Sequence, residues 1–118
     1  MTNPNGLPYT PAVAAGGWVV VSGQLGLRDG ELVEDFAGEV DQTIANLAAR
    51  LAEHGLGLGD VVKTTCFLAD LGQFDTFNER YGAAFAEPRP ARSAFQVAAL
   101  PRGANVEIEA WALGGGPA

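Results

Sequence analysis

Two side chains, Arg92 and Glu107, sit where their types and spacing point to chemistry. Arg92 lies in Glu87-Pro88-Arg89-Pro90-Ala91-Arg92-Ser93, directly before the apolar run Ser93-Ala94-Phe95-Gln96-Val97. Strand alternation puts Ser93, Phe95 and Val97 on one face and Arg92, Ala94 and Gln96 on the other, so the expectation is an arginine pointing away from the core. Glu107 repeats the pattern, with Val106, Ile108 and Ala110 on one face and Glu107, Glu109 and Trp111 opposite. If these two strands are neighbours, a guanidinium and a carboxylate share one sheet surface. A guanidinium offers two parallel donors that match a carboxylate, as a lysine cannot, so Arg92 suggests a small acid as ligand. The competing reading is an ion pair from Arg92 to Glu107 or Glu109 that ties two strands together, and spacing alone does not decide between them.

Other reactive residue types are sparse. Tyr9 stands between Leu7-Pro8 and Thr10-Pro11, where the prolines restrict the backbone; its ring either closes an edge of the core or touches a ligand. Asn78 lies among Phe74, Phe77, Tyr81 and Phe85, where an amide either bonds the local backbone or reaches a ligand. The single Cys66 has no base near it in sequence and reads as a buried small hydrophobe. The single His54, in the last turn of a helix, suits the negative end of the helix dipole and reads as structural. With one cysteine and one histidine the chain lacks a transition-metal ligand set, so no metal is expected.

Composition narrows the class. The chain has 118 residues, enough for one domain over 1–118, with 14 Asp and Glu against 7 Lys and Arg, a net charge of −7. That balance disfavours nucleic acid and anionic membrane as partners. No apolar stretch reaches the roughly 20 residues that span a bilayer, and the first residues lack a secretory pattern, so a cytoplasmic location is expected.

The elements that must position these residues follow in order. Residues 1–8 read as a loose lead-in and 114–118 as a frayed end. Ala12-Val13-Ala14-Ala15 and Trp18-Val19-Val20-Val21-Ser22 read as strands joined by a Gly16-Gly17 turn, and Ser22-Gly23-Gln24 as the loop that ends the second, with Gly23 permitting close backbone approach. Trp18–Val21 is apolar on both faces, which implies that a partner subunit covers one of them. Arg28-Asp29-Gly30-Glu31 reads as a turn. A helix is predicted over 37–54, with Val40, Ile44, Leu47 and Leu51 inward and Glu39, Asp41, Gln42, Arg50 and Glu53 in water. A strand over 64–68 puts Thr64, Cys66 and Leu68 on the core face. A second helix opens with the capping pattern Asp70-Leu71-Gly72-Gln73 and carries the aromatic stripe Phe74, Phe77, Tyr81, Phe85 into the core. The whole is an α+β sandwich with two helices on one face of a sheet.

Tyr9, Val21-Ser22-Gly23-Gln24, Asp60-Val61-Val62-Lys63-Thr64-Thr65, Phe77-Asn78-Glu79, Pro90-Ala91-Arg92-Ser93, Val97-Ala98-Ala99-Leu100-Pro101 and Val106-Glu107-Ile108-Glu109-Ala110 together resemble the Rid family of reactive intermediate deaminases. The resemblance runs from about Tyr9 to Ala112, and it shifts the weight from an ion pair to an active site. It implies a chorismate-mutase-like fold, a mixed β-sheet with two helices on one face, assembled as a homotrimer around a central barrel with active sites between subunits. It implies hydrolysis of 2-iminobutanoate or 2-iminopropanoate, formed from enamines released by pyridoxal-phosphate-dependent dehydratases, to a 2-keto acid and ammonia, with no cofactor. Arg92 would hold the substrate carboxylate and Glu107 would position the water, while Tyr9, Ser22 and Asn78 line the pocket. Ala94, where many members carry Cys, would contribute backbone hydrogen bonds. Leu7-Pro8-Tyr9-Thr10 replaces the family's Gly-Pro-Tyr-Ser, which alters the wall around Tyr9. The alternative is a non-catalytic module of the same fold that binds a 2-keto acid or a partner protein.

Overall fold

The computed structural model describes residues 6–114, so the expectations for both chain ends fall largely outside the described residues. Gly114, read as frayed, is tied in: its N–H donates to the Gly17 carbonyl at 2.6 Å. The chain forms β1 (Ala12–Ala15), β2 (Trp18–Leu25), β3 (Leu27–Arg28), β4 (Glu31–Leu32), α1 (Phe36–Ala52), β5 (Val61–Leu68), α2 (Phe74–Ala84), β6 (Ala91–Gln96) and β7 (Val106–Leu113). Five strands make one sheet in the order β1-β2-β7-β5-β6, and β3 and β4 form a separate small hairpin over the Asp29-Gly30 turn. The sheet is mixed: β5 and β6 run parallel because α2 carries the chain between them, while the other pairs are antiparallel.

The core lies on one face. Val19 and Val21 of β2, Cys66 and Leu68 of β5 and Val106, Ile108, Ala110 and Ala112 of β7 are buried beneath Val40, Ile44, Leu47 and Leu51 of α1 and Phe77, Tyr81 and Phe85 of the α2 segment. Both helical stripes and the Thr64, Cys66, Leu68 face lie where their spacing puts them. Among the described residues no element lies over the other sheet face, which is largely apolar but also carries Lys63, Thr65, Glu107 and Glu109. Val13, Val62, Phe95, Trp111 and Leu113 are each 44–47% exposed, and Trp18 and Trp111 meet edge to face with ring centres 6.0 Å apart.

Several local expectations change. Glu39, assigned to water, is buried in the first turn of α1, where its carboxylate accepts from the Asn105 backbone N–H at 2.7 Å and the Asn105 amide at 2.8 Å. A buried charge is tolerated when it is hydrogen-bonded in this way. Asp70 caps a short 3-10 turn over Leu71–Gln73, accepting from Gly72 N–H, and α2 begins only after it. β2 does not stop at Ser22 but continues to Leu25 through a bulge: Val21 pairs with Ala110 and Gln24 with Ile108, leaving Ser22 and Gly23 opposite Glu109 alone.

Candidate active site

Arg92 is on β6, the edge strand, in register with Thr64 of β5. Thr64 is fully buried on the helix-covered face, so Arg92 projects to that same side, and Ser93 and Phe95 take the open face. This reverses the face assigned from alternation. The guanidinium lies against the aromatic stripe of α2, with Cζ 4.9 Å from the Tyr81 ring centre, 5.4 Å from Phe74 and 5.5 Å from Phe77. Three electron-rich faces hold the cation by its ring side. One Nη1–H donates to Asn78 Oδ1 at 2.8 Å, and among the described residues no carboxylate pairs with the guanidinium. Tyr81 is itself held by a 2.7 Å hydrogen bond between its hydroxyl and Thr64 Oγ1, and burial raises its pKa, so the phenol stays neutral. The stripe read as core therefore also forms the floor on which Arg92 rests. Spacing gave the stripe; that it lies under an arginine follows only from the β5–β6 register.

A cavity of about 450 Å³ opens here, lined by Asn78, Tyr81, Gly82, Arg89, Pro90 and Arg92. Ala94 follows Arg92 on the same face of the edge strand, to whose outer side no further strand bonds among the described residues. Cys66 lies behind, and burial pushes its thiol up to about 11, so no thiolate forms near neutral pH.

Glu107 is elsewhere. It projects from β7 onto the open face, opposite Phe67 of β5 and Leu25 of β2, and β5 separates its strand from β6. Arg92 and Glu107 thus share neither a face nor neighbouring strands, which removes both the shared surface and the intrachain ion pair. Burial and then the nearby Glu109 raise the Glu107 pKa above the usual carboxylate range. Gly23 at the bulge lies directly against the Glu107 carboxylate; a Cβ there would fall 2.7 Å from Cδ and against Oε2. Only glycine leaves that carboxylate its place. Gly23 and Tyr9 in turn line a second cavity, of about 430 Å³, with Gln24, Asn46 and Arg50. The Ser22 hydroxyl donates to the Thr10 carbonyl at 2.7 Å and its N–H to Pro11, which ties the lead-in beside the bulge.

The candidate residues therefore form two groups on one chain. Arg92, Asn78, Tyr81 and Ala94 stand at the β6 edge on the helix side. Glu107, Gly23, Ser22 and Tyr9 stand at the β2 bulge. Among the described residues there is no cluster of three or more His, Cys, Asp or Glu suited to a metal ion.

Fold and site together define an α+β sandwich with a cationic cavity at a sheet edge and an acidic group at a bulge. The family model described as endoribonuclease L-PSP matches residues 3–113. A 2-iminobutanoate/2-iminopropanoate deaminase of Mus musculus is 46% identical over 92% of this chain and 82% of its own. The crystal structure of RidA from the Antarctic bacterium Psychrobacter sp. PAMC 21119 superposes with a TM-score of 0.88 at 43% identity, covering 92% of this chain and 89% of that one. Escherichia coli TdcF, crystallised with bound serine, gives 0.87 at 37% identity over 92% and 89%. The chain belongs to this family, the one its motifs resemble under the name of the Rid deaminases.

Proposed function

We propose that this protein is a deaminase that hydrolyses 2-imino acids such as 2-iminobutanoate and 2-iminopropanoate to 2-keto acids and ammonia, the activity its curated relatives carry in their names. The observation that carries the reading is Arg92: a cation laid on three rings, held by one amide, with no acidic partner among the described residues and with a cavity at its side. Bidentate capture of the substrate carboxylate satisfies it, and Ala94 adds backbone hydrogen bonds at the sheet edge. A relative crystallised with serine, itself a small molecule with a carboxylate, fits the same chemistry. Glu107 accepts a proton from water as the oxygen attacks C2 of the protonated imine, giving a carbinolamine. Glu107 returns that proton to the nitrogen, the C–N bond breaks with its electron pair leaving on ammonia, and the hydroxyl proton passes to the Glu107 carboxylate and on to solvent as C2–O becomes the C=O of the keto acid. The reaction asks for orientation and a placed base, and no cofactor.

Because Arg92 and Glu107 lie on different faces, one protomer's Arg92 group works with the Glu107 group of another. The apolar open face supports a homotrimer in which the three sheets enclose a barrel, one Rid-type domain per chain. Tyr9 and Ser22 then line the cleft from the Glu107 side and Asn78 from the Arg92 side. Imines are short-lived, which favours an enzyme in the same compartment as the pyridoxal-phosphate-dependent dehydratases that release them, and a cytoplasmic location is part of this proposal. No helix of the described chain is long and apolar enough to cross a membrane. The family model's endoribonuclease description favours a second reading, but a net charge of −7 opposes binding a phosphate backbone, so nucleic acid is not the partner proposed.

The test generates 2-iminobutanoate in situ and follows its loss with and without protein. Arg92→Ala is expected to lose about 2 to 4 kcal/mol of transition-state stabilisation, roughly 30- to 900-fold in kcat/KM. No acceleration by wild type, or full activity in Arg92→Ala, ends the proposal. Binding of 2-oxobutanoate without turnover of the imine would instead favour a 2-keto acid sensor.

A further inference from the structure

The cavity beside Arg92 holds a second cation that the reaction above does not use. Arg89 lines it from the loop between α2 and β6. Its Nη2–H donates to the Gly82 carbonyl at 3.0 Å, in the last turn of α2, which fixes the guanidinium and occupies one of its five donors. Its other partner is weak: Glu87 Oε1 lies 3.7 Å from Nη1, and the Glu87 side chain is 82% exposed, so water screens the pair. Arg92 is held at Asn78 and Arg89 at Gly82, residues i and i+4 of α2. The two anchoring residues are therefore neighbours one turn apart on α2. A helix cap alone is one use of Arg89. It leaves unexplained why two of the seven basic residues of a chain with net charge −7 line one small cavity.

We propose that this cavity selects short dicarboxylic 2-imino acids, with Arg92 taking the carboxylate next to the imine and Arg89 the distal one. A five-carbon acid of this class has its terminal carboxyl carbons four C–C bonds of about 1.5 Å apart, roughly 5 Å when extended, and serves as the probe. The cavity of about 450 Å³ lies within the range of small-molecule sites. The distal charge is what a second guanidinium recognises and what a short aliphatic imine lacks. Oxidation of the amino group of an acidic amino acid is the class of reaction that supplies this substrate. The inference rests on the imine-hydrolysing reading for its substrate, but the cavity's preference can be measured without turnover.

Calorimetry of the intact protein with 2-oxoglutarate and 2-oxobutanoate, the product analogues with and without the distal carboxylate, reads the preference directly. Wild type is expected to bind 2-oxoglutarate about tenfold more tightly, and Arg89→Gln to remove that difference. In the imine assay, the ratio of kcat/KM for 2-iminoglutarate to that for 2-iminobutanoate is expected to fall about tenfold in Arg89→Gln. Arg89→Lys, which keeps the charge and loses the fork, should fall between and serves if the glutamine variant does not fold. Equal binding of the two keto acids by wild type, or a preference that survives loss of Arg89, overturns the proposal. Hydrolysis of 2-iminobutanoate with no dicarboxylate preference would refute this inference and leave the deaminase reading standing. An Arg89-dependent preference with no hydrolysis of either imine would do the reverse.

Discussion

A guanidinium resting on three rings is favourable only while its donors stay satisfied, and Asn78 occupies just one of them. The remaining donors make Arg92 an acceptor-seeking group with little freedom to reorient, which is how a ligand contact gains specificity. Glu107 presents the complementary problem. Burial and Glu109 raise its pKa, so it takes up a proton at a higher pH than an ordinary glutamate. In the proposed role of base, Glu107 must be deprotonated to accept a proton from water, so activity would be lost as pH falls through that raised value. The acid limb of kcat/KM for imine hydrolysis is therefore expected above the usual glutamate range of about 4.3. Glu107→Gln should abolish the limb while leaving low residual activity. A rate profile on isolated wild type and variant checks this, and an acid limb unchanged in Glu107→Gln would assign the base elsewhere.

At the scale of elements, the two groups are placed by devices of different kinds. The β2 bulge lets Gly23 meet Glu107, and the loop before β7 is anchored by Glu39, whose carboxylate accepts from the backbone N–H and the side-chain amide of Asn105. Removing that anchor in Glu39→Ala leaves two donors unpaired beside a core strand. The expected cost is about 2 to 3 kcal/mol by denaturant unfolding, with Glu39→Gln, which keeps one acceptor, costing less. An unchanged midpoint would show that water replaces the carboxylate. Much of this layer is legible in the chain itself. Val40, Ile44, Leu47 and Leu51 and the α2 aromatics recur at helical spacing, and only one face of each helix is buried. The face of β6 was not legible. Alternation separates Arg92 and Ala94 from Ser93 and Phe95, but it names the covered side only when the other side is polar. Here the open face carries Val13, Phe95 and Trp111, so apolarity could not choose between them. Glu39 was misplaced for a related reason: a charged residue on a helix reads as solvent-facing until a distant partner, 66 residues on, is known.

At the scale of the whole molecule, the separation of Arg92 from Glu107 is the feature that a single chain cannot resolve. Strands lie about 4.8 Å apart, so two strand spacings and a change of face keep the arginine and the acid of one protomer from meeting one small substrate. A largely apolar open face gives a second copy a reason to bind, and in the proposed homotrimer the Glu107 group of one chain would stand at the β6 edge of the next. Complementation tests this directly. Arg92→Ala and Glu107→Gln chains are each expected to be inactive or nearly so as pure oligomers. Co-expressed in equal amounts and assembled at random, they are expected to recover about a quarter of wild-type sites, because an intact site needs Arg92 from one chain and Glu107 from its neighbour. Solution mass measured on the same preparation reports the number of copies. If both groups acted within one chain, no mixed oligomer could contain an intact site and the mixture would stay as inactive as its components.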